Sequence, residues 1–226
     1  MQKTSDNLLN LFIFIFVLVI IYATFFANHN DSIKKNTAIT VEKVSLEQFK
    51  IDDPEQFPYW GKDFIHIRDQ ETDLKLYPQA SYRIYAMVMG KTKYSWGWES
   101  KIAPYDLALA WNKLMLPENQ KGIIYSQGNR WYYYSYNEKF PLESSYISKH
   151  SSNHHIIPAN STLRKALDEV KTKDIIYMEG YLVYIKGKVK NGTVWWNSSL
   201  TRNDTGEGAC EVFYIKKAVL GDKVYK

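Results

Sequence analysis

One uninterrupted apolar run constrains this chain more than any other feature. From Leu8 to Phe26 it reads LLNLFIFIFVLVIIYATFF, with Asn10 its one strongly polar residue and no charge from Asn7 to Asn30. About 20 apolar residues in a helix span a ~30 Å hydrocarbon core. The run therefore predicts a transmembrane helix over 8–26, with a tail at 1–7, a polar linker at 27–45 and a soluble domain over 46–226. It exceeds the roughly 7–15 apolar residues of a cleavable signal peptide, and the exit Phe25-Phe26-Ala27-Asn28 lacks a small-x-small site. The lipid bilayer is then the partner of residues 8–26. A short tail, one span and a large domain is the layout of exported signal-anchored proteins, which predicts a single-pass protein of the bacterial inner membrane with a periplasmic domain. The lysines pull weakly the other way, with Lys3 before the run and Lys34, Lys35 and Lys43 after it.

Composition sets the remaining bounds. Hydrophobic residues make up 45% and aromatics 15% of the 226 residues, ample for a packed core. The formal charge is +5, but Lys and Arg are interspersed with Asp and Glu and form no basic stripe, so no nucleic-acid partner is expected. Cys210 is the single cysteine, which excludes an intramolecular disulfide, a CxxC redox pair and a multi-cysteine metal site. No cofactor motif is present.

Hydrophobic periodicity divides the domain into elements. Strands are predicted at 64–67, 74–77 and 82–89, and a helix over 104–116, where Leu107, Ala110, Trp111 and Leu114 share one helical face. Paired strands at 123–126 and 131–136 flank Gln127-Gly128-Asn129-Arg130. Ser161–Lys171 is amphipathic, with Leu163, Ala166, Leu167 and Val170 at helical spacing and Asn160 or Ser161 as its cap. Strands at 175–185 and 193–197 flank Asn191-Gly192, a type I′ turn signal, and a last strand covers 210–215. Strands joined by short turns around two helices predict an α+β domain with a mainly antiparallel sheet. A partial barrel of the oligonucleotide/oligosaccharide-binding type is one way to close it.

Two polar stretches could carry chemistry. In SSNHHIIPAN the pair His154-His155, followed by apolar residues and Pro158, resembles the opening of HNH endonucleases, which implies a water-activating second histidine and a metal. No histidine follows His155, so the rest of that site is missing. Zinc bound by His150, His154, His155 and Cys210 or Glu211 meets a geometric obstacle, because adjacent strand residues point to opposite faces; no metal site is assigned. The second stretch, WWNSSLTRNDTGEGACE, brings Trp196, Ser198, Ser199, Arg202, Asp204 and Glu211 around glycines whose backbone could line a ligand pocket. With His154 these are the candidate ligand-binding residues. Cys210, His155 and Glu211 are the candidates for nucleophilic or acid–base catalysis.

DLALAW, SQGNRWYY, SNHHIIPAN, GYLVYI and WWNSSLTRNDTGEGACE together resemble a family of bacterial single-span proteins with no established activity, over most of residues 80–215. The resemblance implies that the His154 and Arg202–Glu211 segments share one domain. With surplus Tyr and Trp suited to sugar stacking or a protein interface, the expectation is a non-enzymatic envelope module that binds a protein or a cell-wall glycan. The alternatives are a hydrolase or transferase using Cys210 or a histidine-bound metal, and a cytoplasmic-facing nucleic-acid-binding domain.

Overall fold

Period-2 patterning runs from Thr72 to Arg83 and gives way to two-sided burial over 84–89, and the 22 residues Thr72–Lys93 form one strand. The computed structural model describes residues 44–204, 206 and 208–226. Their strands are β1 Glu55–Pro58, β2 Ile65–Arg68, β3 Thr72–Lys93, β4 Tyr105–Ala110, β5 Ile123–Gly128, β6 Trp131–Tyr136, β7 Ser151–Pro158, β8 Ile175–Val189, β9 Gly192–Asn197, β10 Glu211–Leu220 and β11 Lys223–Tyr225. The helices are α1 Trp98–Ile102, α2 Pro117–Gln120, α3 Ser144–His150 and α4 Ser161–Glu169.

Strand β3 hydrogen-bonds along both edges. One edge pairs with β8, from Thr72↔Val189 to Met87↔Ile175, and the other takes β2, β1 and β4 in turn. Beyond β4 come β7 and β10, and β10 returns to β8, so β3, β4, β7, β10 and β8 close a five-stranded barrel. Only the β7–β10 step of this ring is parallel, from Glu211↔His154 to Ile215↔Pro158, and its crossover carries α4, β8 and β9. A five-stranded Greek-key ring with a helix between its third and fourth strands is the connectivity of oligonucleotide/oligosaccharide-binding barrels.

Side-chain alternation fills the barrel. Tyr105, Leu107 and Leu109 of β4 project inward with Trp111, against Tyr82, Ile84, Ile156 and Phe213. Helix α4 packs on the same core through Leu163, Ala166 and Leu167. Each leucine buried there contributes about 1.5–3 kcal/mol relative to an exposed one. The helix starts where Asn160 caps it, its side chain accepting from the Leu163 N–H at 3.0 Å.

Outside the barrel lie further cores. Past a bulge between Pro78 and Ala80, the first part of β3 turns Leu74 and Leu76 against Val183, Ile185, Ile157 and Val212. The β5–β6 hairpin forms a separate two-stranded sheet and packs on Met87, Met89 and Ala110. It turns at Asn129 and Arg130, both with positive φ (52° and 69°), as a type I′ turn requires. At Asn191-Gly192 only Gly192 has positive φ (140°), so the expected I′ turn is not formed there.

The expected α+β architecture is corrected. Half of the described residues are in strands and 18% in helices, so the domain is mostly β. The decisive difference is 104–116, predicted as a helix. Residues 105–110 are strand β4 and Asn112–Met115 a 3-10 turn. Every β4 residue is buried, Asp106 included, so burial does not alternate along the run and tertiary pairing decides between strand and helix. The transmembrane helix predicted over 8–26 lies outside the described residues, and no helix among the described residues is long and apolar enough to cross a membrane. The single-pass inner-membrane placement, its bilayer partner and the periplasmic location of the domain are not sustained by that finding.

Gly187 tests the tight approach of β8 to β3. A Cβ on Gly187 would lie 2.1 Å from the Asp73 carbonyl oxygen. Gly187→Ala is expected to destabilise the chain by about 1–3 kcal/mol, read as a lower midpoint in denaturant unfolding. An unchanged midpoint would show that the two strands do not approach this closely.

Candidate functional site

Because β7 alternates, its two histidines serve different environments. Ser152 and His154 point into the barrel, while Ser151, Asn153 and His155 lie on its outer face. Inside, the Tyr82 hydroxyl lies 3.2 Å from His154 Nε2, Ser152 Oγ lies 3.3 Å from His154 Nδ1, and Ser152 donates to Glu211 Oε2 at 2.6 Å. The serine proton is committed to the carboxylate, so His154 donates from Nδ1 to Ser152 and accepts from Tyr82 at Nε2. This is the neutral ring, and burial, then the positive charge of Arg202, holds its pKa well below the usual histidine range. The 3.8 Å approach of His154 Nδ1 to Glu211 is therefore a contact of a neutral ring and not an ion pair. Glu211, fully buried, forms its ion pair with Arg202, which is 27% exposed. Removing one partner of such a buried pair costs about 3–5 kcal/mol, so a variant at Arg202 reports on stability before it reports on binding.

On the outer face a second polar cluster is sealed under the hairpin. The fully buried Asp106 accepts from His155 Nδ1 at 2.9 Å, Arg130 Nη1 at 2.7 Å and Asn153 Nδ2 at 3.2 Å. Gln127 donates to Asn153 Oδ1 at 2.7 Å. The Arg130 guanidinium lies 4.0 Å from the Tyr94 ring centre, and the Tyr94 hydroxyl accepts the Arg130 N–H at 2.9 Å. These bonds hold Arg130 in a left-handed backbone conformation that costs a residue with a Cβ roughly 1–2 kcal/mol. Trp196 covers His155 with ring centres 4.7 Å apart, and meets Trp98 edge-on.

Between the hairpin and the 199–210 loop opens a cleft of about 220 Å³. It is lined by Trp131, Tyr132 and Tyr134 of β6, by Arg202, Asp204 and Cys210, and by Ser151 and Ser152. Gly206, which also lines it, and the neighbouring Gly208 have positive φ (84° and 87°), so the loop turns where a Cβ would strain it. Asp204 is held by the Ser199 hydroxyl at 2.6 Å. Burial pushes the Cys210 thiol up to about 11.

The structure thus brings His154, Arg202 and Glu211 into one buried chain, and Arg202, Asp204 and Cys210 into one cleft. It does not bring together Cys210 and His155 as a nucleophile pair. Cys210 Sγ has Asn153 Nδ2 and the Arg130 carbonyl as its polar neighbours, both at 4.0 Å, while His155 is bonded to Asp106. Ser198 is structural, accepting the Val212 N–H at 3.1 Å. His154 and His155 face opposite sides, and no group of three or more His, Cys, Asp or Glu that could hold a metal occurs among the described residues. Sequence reasoning did not single out Tyr82, Asp106, Arg130, Ser152 or Asn153. The available signal was Asp106, the second residue of YDLALA, a charge that a buried strand keeps only with partners.

No protein-family model, curated protein or solved structure matches this chain.

Two measurements test this chemistry. An unfolded histidine titrates near 6.5, and the fold excludes the proton from His154. Its contribution is therefore complete above pH 6.5 and is lost as pH falls. Between pH 7.5 and 5.5 the full chain is expected to lose on the order of 1 kcal/mol through this group, a slope that His154→Gln removes. The same loss in the variant would assign the slope elsewhere. Secondly, iodoacetamide is expected to alkylate Cys210 at pH 7.5 at least about tenfold more slowly than a model peptide, since so little thiolate is present. A rate above the peptide's would reinstate an activated nucleophile.

Proposed function

We propose that this domain is a non-enzymatic binding module that takes a sugar unit of a glycan into the cleft between the β5–β6 hairpin and the 199–210 loop. The observation that carries the reading is the make-up of that cleft, which combines Trp131, Tyr132 and Tyr134 with Arg202, Asp204, Ser151 and Ser152. A pyranose has apolar C–H faces and a rim of hydroxyls. Aromatic side chains suit the first, and fixed donors and acceptors the second. Among barrels with this connectivity, the loop between the fourth and fifth strands is a common ligand-binding element, and here that connection supplies Arg202 and Asp204. Shared connectivity is analogy at the level of fold and carries less weight than the cleft.

Binding is favoured over catalysis because the reactive groups are committed. The Cys210 thiol is held protonated, and His154 and Glu211 are fully buried with their bonds directed into the barrel. Binding of single-stranded nucleic acid is disfavoured by a different fact. Barrels of this type read strands across the face of their second and third strands. Here those are β4 and β7, of which only Pro158 is not buried.

The test is a glycan array probed with the full chain, followed by calorimetry on the ligands found. Trp131 is 38% exposed, so Trp131→Ala is expected to leave the unfolding midpoint nearly unchanged while weakening binding about tenfold or more. Undiminished affinity in that variant, or an array without a ligand, would refute the proposal.

A further inference from the structure

The charges at the cleft narrow the ligand further, resting on the glycan reading above. Among the described lining residues only Arg202 and Asp204 carry charge. Arg202 is committed to Glu211, immediately behind the wall, and the two cancel. His154 and Cys210 add nothing, the first a neutral ring bonded to Tyr82 and Ser152 and the second a protonated thiol. Among the described lining residues Asp204 is left as the uncompensated charge. Its Oδ2 accepts from Ser199, and its Oδ1 has no hydrogen-bond donor among the described residues. Trp131, Tyr132 and Tyr134 line the same cleft, and aromatic faces attract a cation and repel an anion.

We infer that the cleft selects a sugar bearing a free ammonium group, an amino sugar that is not N-acetylated, over neutral and acidic sugars. The ring lies against the aromatic wall and the ammonium donates to Asp204. A carboxylate-bearing sugar meets the same aspartate and the same ring faces with the wrong sign. Arg202 does not rescue it, because leaving Glu211 would strand a buried carboxylate.

The full chain is titrated calorimetrically at pH 6 and low salt with three probes: a β-1,4 trimer of glucosamine, the corresponding N-acetylglucosamine trimer, and a trimer of galacturonic acid. The expected order is glucosamine first, at least tenfold tighter than galacturonate, with the acetylated trimer between them. Asp204→Asn, which keeps an oxygen to accept from Ser199, is expected to bring the glucosamine and N-acetyl trimers to within about threefold of each other. Added salt is expected to weaken the glucosamine trimer most. Equal or tighter binding of the acetylated or acidic trimer, or a preference unaltered in Asp204→Asn, overturns the inference and leaves the glycan reading standing. Failure of all three probes, together with a blank array, overturns both.

Discussion

A strand that hydrogen-bonds along both edges is the constraint from which the rest of this domain follows. At Met87 strand β3 pairs with Ala110 of β4 on one side and Ile175 of β8 on the other, so the sheet closes on itself. Closure removes free sheet edges from the ring and gives it an inside too small for anything but side chains. It also forces the polar residues of the central strands to choose a side. Those directed inward plug the barrel as the Tyr82–His154–Ser152–Glu211 chain. Those directed outward need a cover, and the β5–β6 hairpin with Arg130 supplies it over Asp106, Asn153 and His155.

Much of this was legible wherever a single period prevailed. The i, i+3, i+4, i+7 spacing of Leu163, Ala166, Leu167 and Val170 marked α4, and its Asn160 cap is present. Strand alternation by itself separates His154 from His155 and removes a shared metal. The hairpin around Asn129 and the clustering of Arg202 with Glu211 were readable from turn residues and from one compact polar motif. Legibility failed where burial is two-sided. In Tyr105–Ala110 both faces are covered, so the run carries no polar stripe to distinguish strand from helix. Pro78 concealed the continuity of β3, since proline normally ends a strand. Here it sits beside a bulge, where its missing N–H is tolerated. The partners of Asp106 come from β7 and from the turn between β5 and β6, a convergence that only the folded topology creates.

The same reasoning explains why the His154-His155 pair assembles no shared metal site among the described residues. A histidine pair can serve a metal only if the chain brings a third ligand to the same side of the strand. Here the inward histidine meets tyrosine, phenylalanine and serine, and the outward one meets an aspartate already bonded to arginine and asparagine. Each imidazole is held by hydrogen bonds and packing, as a buried polar group in a stable core must be.

The Glu211–Arg202 pair raises a different question, because an apolar plug would close the barrel mouth at least as stably. Two charges lose their hydration there, and well-packed hydrophobic residues of similar volume often stabilise as much or more. An apolar plug has no preferred direction. The ion pair does, since Glu211 begins β10 in register with His154 and is fixed again by Ser152. Arg202 follows that carboxylate, and with Asp204 and Gly206 it lines the cleft that Trp131 and Tyr134 also line. On the proposed binding reading, a glycine-bearing loop without such an anchor would lose backbone entropy whenever a ligand bound. With it, folding itself positions that wall, and the stability given up to the ion pair would serve as preorganisation.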